Sequence, residues 1–136
     1  MNKNIAVMIS GCGVYDGAEI TETVSTLIAL SKAGVSYQCF SLDQEKSHVI
    51  DHSKGEVSEE SRNILAESAR IARGNVKDIS ELNPSEFDGL IFPGGFGVAK
   101  NFCDFAFKGA EMSVKPEIES VLRAFHKSQK PIGLIC

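Results

Sequence analysis

The sequence predicts an α/β domain built on a doubly wound parallel sheet with helices on both faces. Apolar runs of strand length alternate along the chain with segments whose apolar residues recur at helical spacing. Glycine follows several of these segments, where the chain must turn. Strands that alternate with helices form right-handed βαβ units and therefore a parallel sheet. The length is that of one ordinary domain, which we expect to occupy residues 1–136.

Two strands and the helix between them account for the first part of the chain. Residues 4–10 are a continuous apolar run, which is typical of a strand buried on both faces. Residues 19–33 carry apolar side chains at helical spacing, and Gly34 follows where a C′ residue belongs. Residues 35–42 are expected to form the second strand.

The middle of the chain begins with a polar segment. Residues 43–57 are expected to form a loop or a short hairpin. Ser58 is the expected N-cap of a second helix, which runs to about Arg73 and is closed by Gly74.

The last elements are a strand, a helix and a strand. The third strand is expected within residues 87–92, where Pro93 ends it. Residues 115–129 predict a helix with Pro116 in its first turn and an apolar stripe along one side. Residues 131–136 are expected to form the final strand.

Composition and charge argue against several classes of partner and location. The net charge is −4, so the chain lacks the basic surface that nucleic acid requires. No apolar run approaches the roughly 18 residues of a membrane span, and the first run is too short for a signal-peptide core. We therefore expect no membrane and no nucleic-acid partner. The four cysteines, which form no CxxC pair of the metal-binding type, are Cys12, Cys39, Cys103 and Cys136. Because no secretory signal is recognised, disulfides are not expected either, and we expect a reducing, cytoplasmic location.

Three features fall at the carboxyl ends of predicted strands, where open α/β sheets bind ligands. They are Gly11-Cys12-Gly13, Pro93-Gly94-Gly95-Phe96-Gly97 and Cys136. The topology alone therefore predicts one site that contains all three.

The glycine-rich turn after the third strand has two interpretations. Glycines there allow positive φ and let backbone N–H groups approach a ligand, as in an oxyanion site. The alternative is a tight connection between a strand and a helix. The GxGxxG spacing of dinucleotide-binding proteins and the Gly-Lys-Ser/Thr of a P-loop are both absent from this stretch.

The reactive side chains are also open to two interpretations. Cys136 is either a buried core thiol or a nucleophile, and a helix that followed it would favour the thiolate. Glu19 and Glu22 are either exposed acids that favour the start of a helix, or one of them points into the site to exchange a proton.

Other candidate side chains are weaker. Cys12 can line the site, but nothing local would activate its thiol. We expect all three histidines, His48, His52 and His126, to be solvated. His48 and His52 are spaced i, i+4, but their segment has little helical pattern, so a metal site formed by this pair is not expected.

Taken together, these motifs resemble the ThiJ/PfpI superfamily, also called class I glutamine amidotransferase-like. The resemblance rests on Ala18-Glu19-Ile20-Thr21-Glu22-Thr23-Val24, Pro93-Gly94-Gly95-x-Gly97 and Lys130-Pro131-Ile132-Gly133-Leu134-Ile135-Cys136. It implies a flavodoxin-like fold in which a sharp strand-turn-helix elbow presents the cysteine.

The same resemblance implies roles for individual residues. Cys136 would be the nucleophile and Glu22 its acid partner, with Glu19 as the second choice. Gly95 would be the backbone donor to an oxyanion, with Gly94 beside it. Gly11 and Cys12 would complete the substrate-binding surface.

A closer resemblance, over essentially the whole chain, is to the ElbB-type branch, which includes mitochondrial ES-type proteins. It rests mainly on Ser10-Gly11-Cys12-Gly13-Val14-Tyr15-Asp16-Gly17 and on Phe92-Pro93-Gly94-Gly95-Phe96-Gly97-Val98-Ala99-Lys100-Asn101. It implies a glyoxalase without cofactor or metal that acts on small 2-oxoaldehydes, a link to isoprenoid biosynthesis, and a mitochondrial location in a eukaryote. Family members continue for roughly half as much chain again, so the chain is expected to be the N-terminal portion of such a domain, ending at the nucleophile strand.

Other functions remain open at this point. They are a redox-sensing or partner-binding protein with an oxidisable cysteine, a glutaminase domain, and a binding module that uses the pocket alone. The resemblance also implies a homodimer, for which segments 43–57 and 101–113 are candidate interfaces or covers over the site.

Overall fold

The computed structural model describes residues 2–136. The strands in chain order are β1 (Asn4–Met8), β2 (Ser36–Ser41), β3 (Val49–Asp51), β4 (Glu56–Ser58), β5 (Val76–Asp78), β6 (Gly89–Phe92) and β7 (Ile132–Leu134). The α-helices are α1 (Ile20–Lys32), α2 (Ile64–Ala72), α3 (Phe105–Lys108) and α4 (Pro116–Lys127).

Five of the strands form one parallel sheet in the order β5-β2-β1-β6-β7. Without β5, the order β2-β1-β6-β7 is that of flavodoxin-like folds, in which the first strand lies between the second and the third. The prediction of a doubly wound, flavodoxin-like parallel sheet is therefore confirmed. No helix among residues 2–136 combines the length and the apolar character that crossing a bilayer requires.

The core lies on both faces of the sheet because side chains of a strand alternate between the faces. Ala6 and Met8 of β1 belong to one apolar cluster, which includes Phe125 of α4. Val7 and Ile9 belong to the other cluster, against which α1 and α2 pack. This alternation accounts for the unbroken apolar run with which the chain begins.

A side chain caps the start of helix α1. Glu19 is the N-cap, and its carboxylate accepts a hydrogen bond from the backbone N–H of Glu22 at 2.6 Å. The helix ends at Lys32, and Gly34 has a φ of 70°. The predicted helix over 19–33 and its glycine stop agree with this element.

Helix α2 begins later than predicted. Ser58 lies in β4, and the N-cap is Asn63, whose side chain accepts a hydrogen bond from Ala66 N at 2.9 Å. Just before this N-cap the chain pairs with a distant segment, since Lys46 N donates to Arg62 O at 2.9 Å. Pairing with a distant segment thus overrides the local helix signal at Ser58.

The strand β5 was not predicted from the sequence. It has three residues, of which Val76 alone is apolar, so it carries no run or alternation from which a strand could be inferred. Its pairing with β2 places it at the edge of the sheet.

The polar segment 43–57 contains the short hairpin that was one of its two expected forms, since β3 and β4 pair antiparallel. Asp16 of the loop after β1 holds this hairpin in place. Its carboxylate accepts a hydrogen bond from Ile50 N at 2.7 Å and pairs with the Lys46 ammonium at 3.0 Å. Both charged side chains are almost completely buried.

A thiol in β2 makes the stability of this fold sensitive to alkaline pH. Burial raises the pKa of the Cys39 thiol to about 11, from an ordinary value of 9.0. Above pH 9 the unfolded chain releases this proton while the folded chain retains it, so stability is lost as the pH rises towards 11. We expect the free energy of unfolding to fall by about 2 kcal/mol more in the wild type than in Cys39→Ala over this interval.

Urea denaturation of both proteins at the two ends of the interval measures this difference. All other titrating groups are the same in the two proteins, so their contributions cancel when the two losses of unfolding free energy are compared. Equal losses in the wild type and in Cys39→Ala would contradict the assignment of a buried, protonated thiol.

Candidate active site at the carboxyl ends of the strands

The loop after β1, residues 10–19, lies directly against the turn after β6, residues 93–97. Three backbone hydrogen bonds join them: Glu19 N to Gly94 O at 2.8 Å, Phe96 N to Val14 O at 2.8 Å and Gly97 N to Gly17 O at 2.9 Å. This pair of segments is called the clasp below. Because the first of these bonds involves the N-cap of α1, the clasp fixes where that helix begins.

Glycine is required in the clasp for steric reasons. Gly95 has a φ of 109°, and a Cβ there would collide with the carbonyl oxygen of Gly17. A Cβ at Gly97 would collide with the hydroxyl of Ser10. The glycine-rich turn is therefore both a tight connection and a close approach of backbone to backbone, so the two interpretations of this turn are compatible.

Glu22 and Cys136 meet at Gly94. The N–H of Gly94 donates a hydrogen bond to Glu22 Oε1 at 3.1 Å. A Cβ at Gly94 would lie 2.6 Å from the Cβ of Cys136 and would collide with the same carboxylate oxygen. A carboxylate and a thiol-bearing residue thus lie together against one face of Gly94.

Cys136 follows β7 in an unusual backbone conformation. Ile135 N donates to Phe92 O at 3.0 Å, which continues the pairing of β7 with β6 up to the residue before the cysteine. Cys136 itself has a φ of 62°, in the left-handed region that non-glycine residues seldom adopt. Such conformations are frequent where a nucleophile is presented at the end of a strand.

The two acids of α1 occupy different positions. The carboxylate of Glu19 is engaged at the helix start, where it accepts from Glu22 N. The carboxylate of Glu22, one turn later, reaches Gly94. Of the two candidates for the acid partner, Glu22 is the one whose side chain lies beside Cys136, and Glu19 holds it there through the helix start.

One N–H group of the turn is free. The N–H groups of Gly94, Phe96 and Gly97 each have an acceptor. Among residues 2–136, no intramolecular acceptor is found for the N–H of Gly95. This is the backbone donor that the turn leaves available to a bound ligand.

Gly11 and Cys12 face a different element. Gly11 N donates to the hydroxyl of Ser68 in α2 at 2.9 Å. Burial raises the pKa of the Cys12 thiol, and the negative charge of Glu67 in α2 raises it further. The contacts of both residues therefore lead towards α2, and Cys12 lies in surroundings that disfavour its thiolate.

The expectation that all three histidines are solvated is wrong for His48. Its Nε2 is buried, its ring packs edge-on against Phe107, and burial, followed by the charge of Lys100, lowers its pKa. His52 is exposed but stacks on Tyr15 and accepts a hydrogen bond from Tyr15 N at 3.1 Å. Within residues 2–136, no group of three or more potential ligands could hold a metal ion.

Sequence reasoning missed the buried residues that hold the clasp. Asp16 and Lys46 form an ion pair between segments 30 residues apart, and Asn101 is 1% exposed beside the loop after β1. A polar residue in a polar segment gives no sign that it will be buried. Asp16 and Asn101 lay inside the stretches that carried the family resemblance, which was the one available signal.

The chain is similar to known proteins over nearly its whole length. No protein-family profile matches the chain. A human protein named "Glutamine amidotransferase-like class 1 domain-containing protein 3, mitochondrial" is 53% identical over 133 residues, which are 97% of this chain and 50% of that protein. The zebrafish (Danio rerio) "ES1 protein, mitochondrial" is 42% identical, over 98% of this chain and 51% of that protein.

A solved structure is similar over nearly the whole chain. It is an isoprenoid biosynthesis protein with an amidotransferase-like domain from Ehrlichia chaffeensis, 45% identical with a TM-score of 0.93, and the match covers 98% of this chain and 63% of that one. The chain spans about half the length of the curated relatives that it matches. Over nearly its whole length, the chain is therefore similar to proteins named glutamine amidotransferase-like class 1 and ES1 and to an amidotransferase-like domain of known structure.

Proposed function

We propose that the protein is a glyoxalase-type enzyme that converts small 2-oxoaldehydes, such as glyoxal and methylglyoxal, to hydroxy acids. The observation that carries the proposal is the meeting of Glu22 and Cys136 at Gly94. A thiol-bearing residue and a carboxylate that lie against the same face of one glycine can act on adjacent carbons of a small substrate. The free N–H of Gly95 supplies the third element that carbonyl chemistry needs.

The first step forms a carbon–sulfur bond. The sulfur of Cys136 adds to the aldehyde carbon, and the aldehyde oxygen takes up a proton to give a hemithioacetal. While this oxygen carries negative charge, the N–H of Gly95 stabilises it. The substrate must therefore be small enough to enter between the sulfur and the turn.

The second step moves one proton between adjacent carbons. The Glu22 carboxylate removes the hydrogen on the carbon that bears sulfur, which gives an enediol, and then returns a proton to the neighbouring carbon. The former aldehyde carbon becomes a thioester and the former ketone becomes an alcohol. One carbon is oxidised and its neighbour is reduced, so no external oxidant or reductant is needed.

Water completes the cycle. It hydrolyses the thioester, releases the 2-hydroxy acid and restores the thiol of Cys136. The overall change is the addition of one water molecule to the 2-oxoaldehyde, and the proposal includes neither a metal ion, glutathione nor another cofactor.

The remaining parts of the proposal come from the family. The relative from Ehrlichia is described as an isoprenoid biosynthesis protein, and the human and zebrafish relatives are named mitochondrial. We place this protein in the same general context, in the cytoplasm or, if its source is eukaryotic, in mitochondria. We also propose a homodimer, with neither nucleic acid nor membrane as a partner.

Replacement of the nucleophile tests the proposal directly. We expect Cys136→Ala to abolish lactate formation from methylglyoxal, because the hemithioacetal cannot form. Lactate is measured enzymatically after incubation of the wild type and the variant with methylglyoxal. If the variant forms lactate as fast as the wild type, the proposed mechanism is wrong, and if the wild type forms none, the proposed activity is wrong.

Replacement of the acid separates proton transfer from nucleophilic attack. In Glu22→Gln the amide oxygen can still accept the Gly94 N–H, but the side chain cannot carry a proton between carbons. We expect kcat to fall by about 10²- to 10⁴-fold, while iodoacetamide alkylates Cys136 at a rate of the same order as in the wild type. Glu117→Gln, on α4, is the matched control. A kcat of Glu22→Gln equal to that of the control would refute the proton-transfer role.

A single methyl group at Gly94 tests the geometry. In Gly94→Ala the new Cβ collides with Glu22 Oε1 and with Cys136, so we expect turnover to fall at least as far as in Glu22→Gln. Gly133→Ala is the matched control, because a Cβ there meets its nearest atom at 3.4 Å. Unimpaired turnover in folded Gly94→Ala would show that the two side chains do not act together.

A further inference from the structure

We infer that Asn101 is a positioning residue that holds the Glu22 carboxylate at Gly94 through the loop after β1. The kinetic part of this inference rests on the function proposed above, whereas its structural part does not. Asn101 lies in the π-helical turn over Val98–Phe102 that follows the glycine-rich turn.

Both N–H groups and the carbonyl oxygen of this side chain are bonded to backbone groups. Its Nδ2 donates to the carbonyl oxygens of Ser10 and Asp16, both at 2.9 Å. Its Oδ1 accepts from Ser47 N at 3.1 Å. An amide has two N–H donors and one carbonyl acceptor, so one side chain satisfies three groups with none of its hydrogens unused.

The two carbonyl groups lie near the two ends of the loop after β1. Ser10 follows the strand, and Asp16 lies just before the start of α1. One side chain therefore fixes the distance between the end of β1 and the residues that lead into the helix. Gly17, the next residue, accepts the Gly97 N–H and continues this constraint into the clasp.

The path from Asn101 to the carboxylate is short and consists of observed contacts. The loop leads to Glu19, whose N–H donates to Gly94 O and whose side chain caps α1. Glu22 lies on the first turn of that helix and accepts from Gly94 N. A shift of the loop would thus move the N-cap of α1, and with it the carboxylate that faces Cys136.

Burial explains why asparagine is suited to this position. The side chain is 1% exposed, so water cannot replace its hydrogen bonds. An aspartate would place a carboxylate oxygen against two carbonyl oxygens, and a serine would be too short to reach both. Neither residue can hold the two ends of the loop together.

The Gly94 amide signal in NMR tests this inference without any substrate. In Asn101→Ser we expect the Gly94 N–H to exchange with solvent about tenfold faster, because its bond to Glu22 is weakened, and its chemical shift to move towards that of Glu22→Ala. Asn101→Asp keeps the size of the side chain and the acceptor for Ser47, and we expect the same two changes in it. It replaces the serine variant in this test if that variant folds poorly.

Two comparisons separate positioning from loss of stability. Phe125→Leu removes packing from α4, on the face of the sheet opposite α1, and should leave the chemical shift of the Gly94 N–H unchanged. In a Glu22→Ala background, Asn101→Ser should add no further change at Gly94. The inference would be overturned if the exchange rate and chemical shift of the Gly94 N–H in Asn101→Ser matched those of the wild type. It would also be overturned if the effects of Asn101→Ser and Glu22→Ala on this N–H were additive in the double variant.

If the enzyme turns over 2-oxoaldehydes, kinetics supply an independent measurement. We expect Asn101→Ser to lower kcat with little change in KM, because Glu22 acts in the chemical step and not in binding. A change confined to KM would contradict the positioning role. If the wild type shows no turnover, the proposed function fails, but the Gly94 signal still tests whether Asn101 positions Glu22.

Discussion

The site depends on how closely two backbone segments can approach each other. The loop after β1 and the turn after β6 are in contact, and two glycines of the turn make this possible: Gly95 and Gly97. A side chain at either of them would hold the segments apart. The N-cap of α1 bonds to the same turn, so this contact sets the position of Glu22 as well. Backbone shape, more than any pair of side chains, determines where the acid lies.

A buried ion pair makes the loop after β1 part of a larger unit. Asp16 binds both the ammonium of Lys46 and the N–H of Ile50, and so joins the loop to the β3–β4 hairpin. An unpaired charge in such surroundings costs several kcal/mol, so neither partner can leave alone without a large loss of stability. Asn101 also joins the loop to the residues just before the hairpin, because it donates to Asp16 O and accepts from Ser47 N. Loop, hairpin and turn are therefore joined by buried polar contacts.

Much of this architecture could be predicted because it depends on local pattern. The apolar run of β1, the stripe of α4 and the glycine after α1 identified their elements, and topology placed the chain's turns at one edge of the sheet. The errors share one cause, which is pairing between distant segments. Ser58 was predicted to start a helix because its pairing with Val49 in the hairpin has no local signature. The buried roles of Lys46 and Asn101 were missed for the same reason, since each depends on a segment remote in sequence.

The division of work among the N–H groups of the turn limits the chemistry that the site can perform. Gly94 N–H is bonded to Glu22, so it orients the acid and is not available to a substrate oxygen. Among residues 2–136, the neighbouring N–H of Gly95 has no such acceptor. In the proposed reaction, two consecutive amides would have different roles, because one would hold the proton carrier and the other would receive the developing charge. In the proposed hemithioacetal the charged oxygen and the hydrogen that Glu22 would remove are on the same carbon, so a substrate that uses both groups must place that one carbon between the Gly95 N–H and the Glu22 carboxylate.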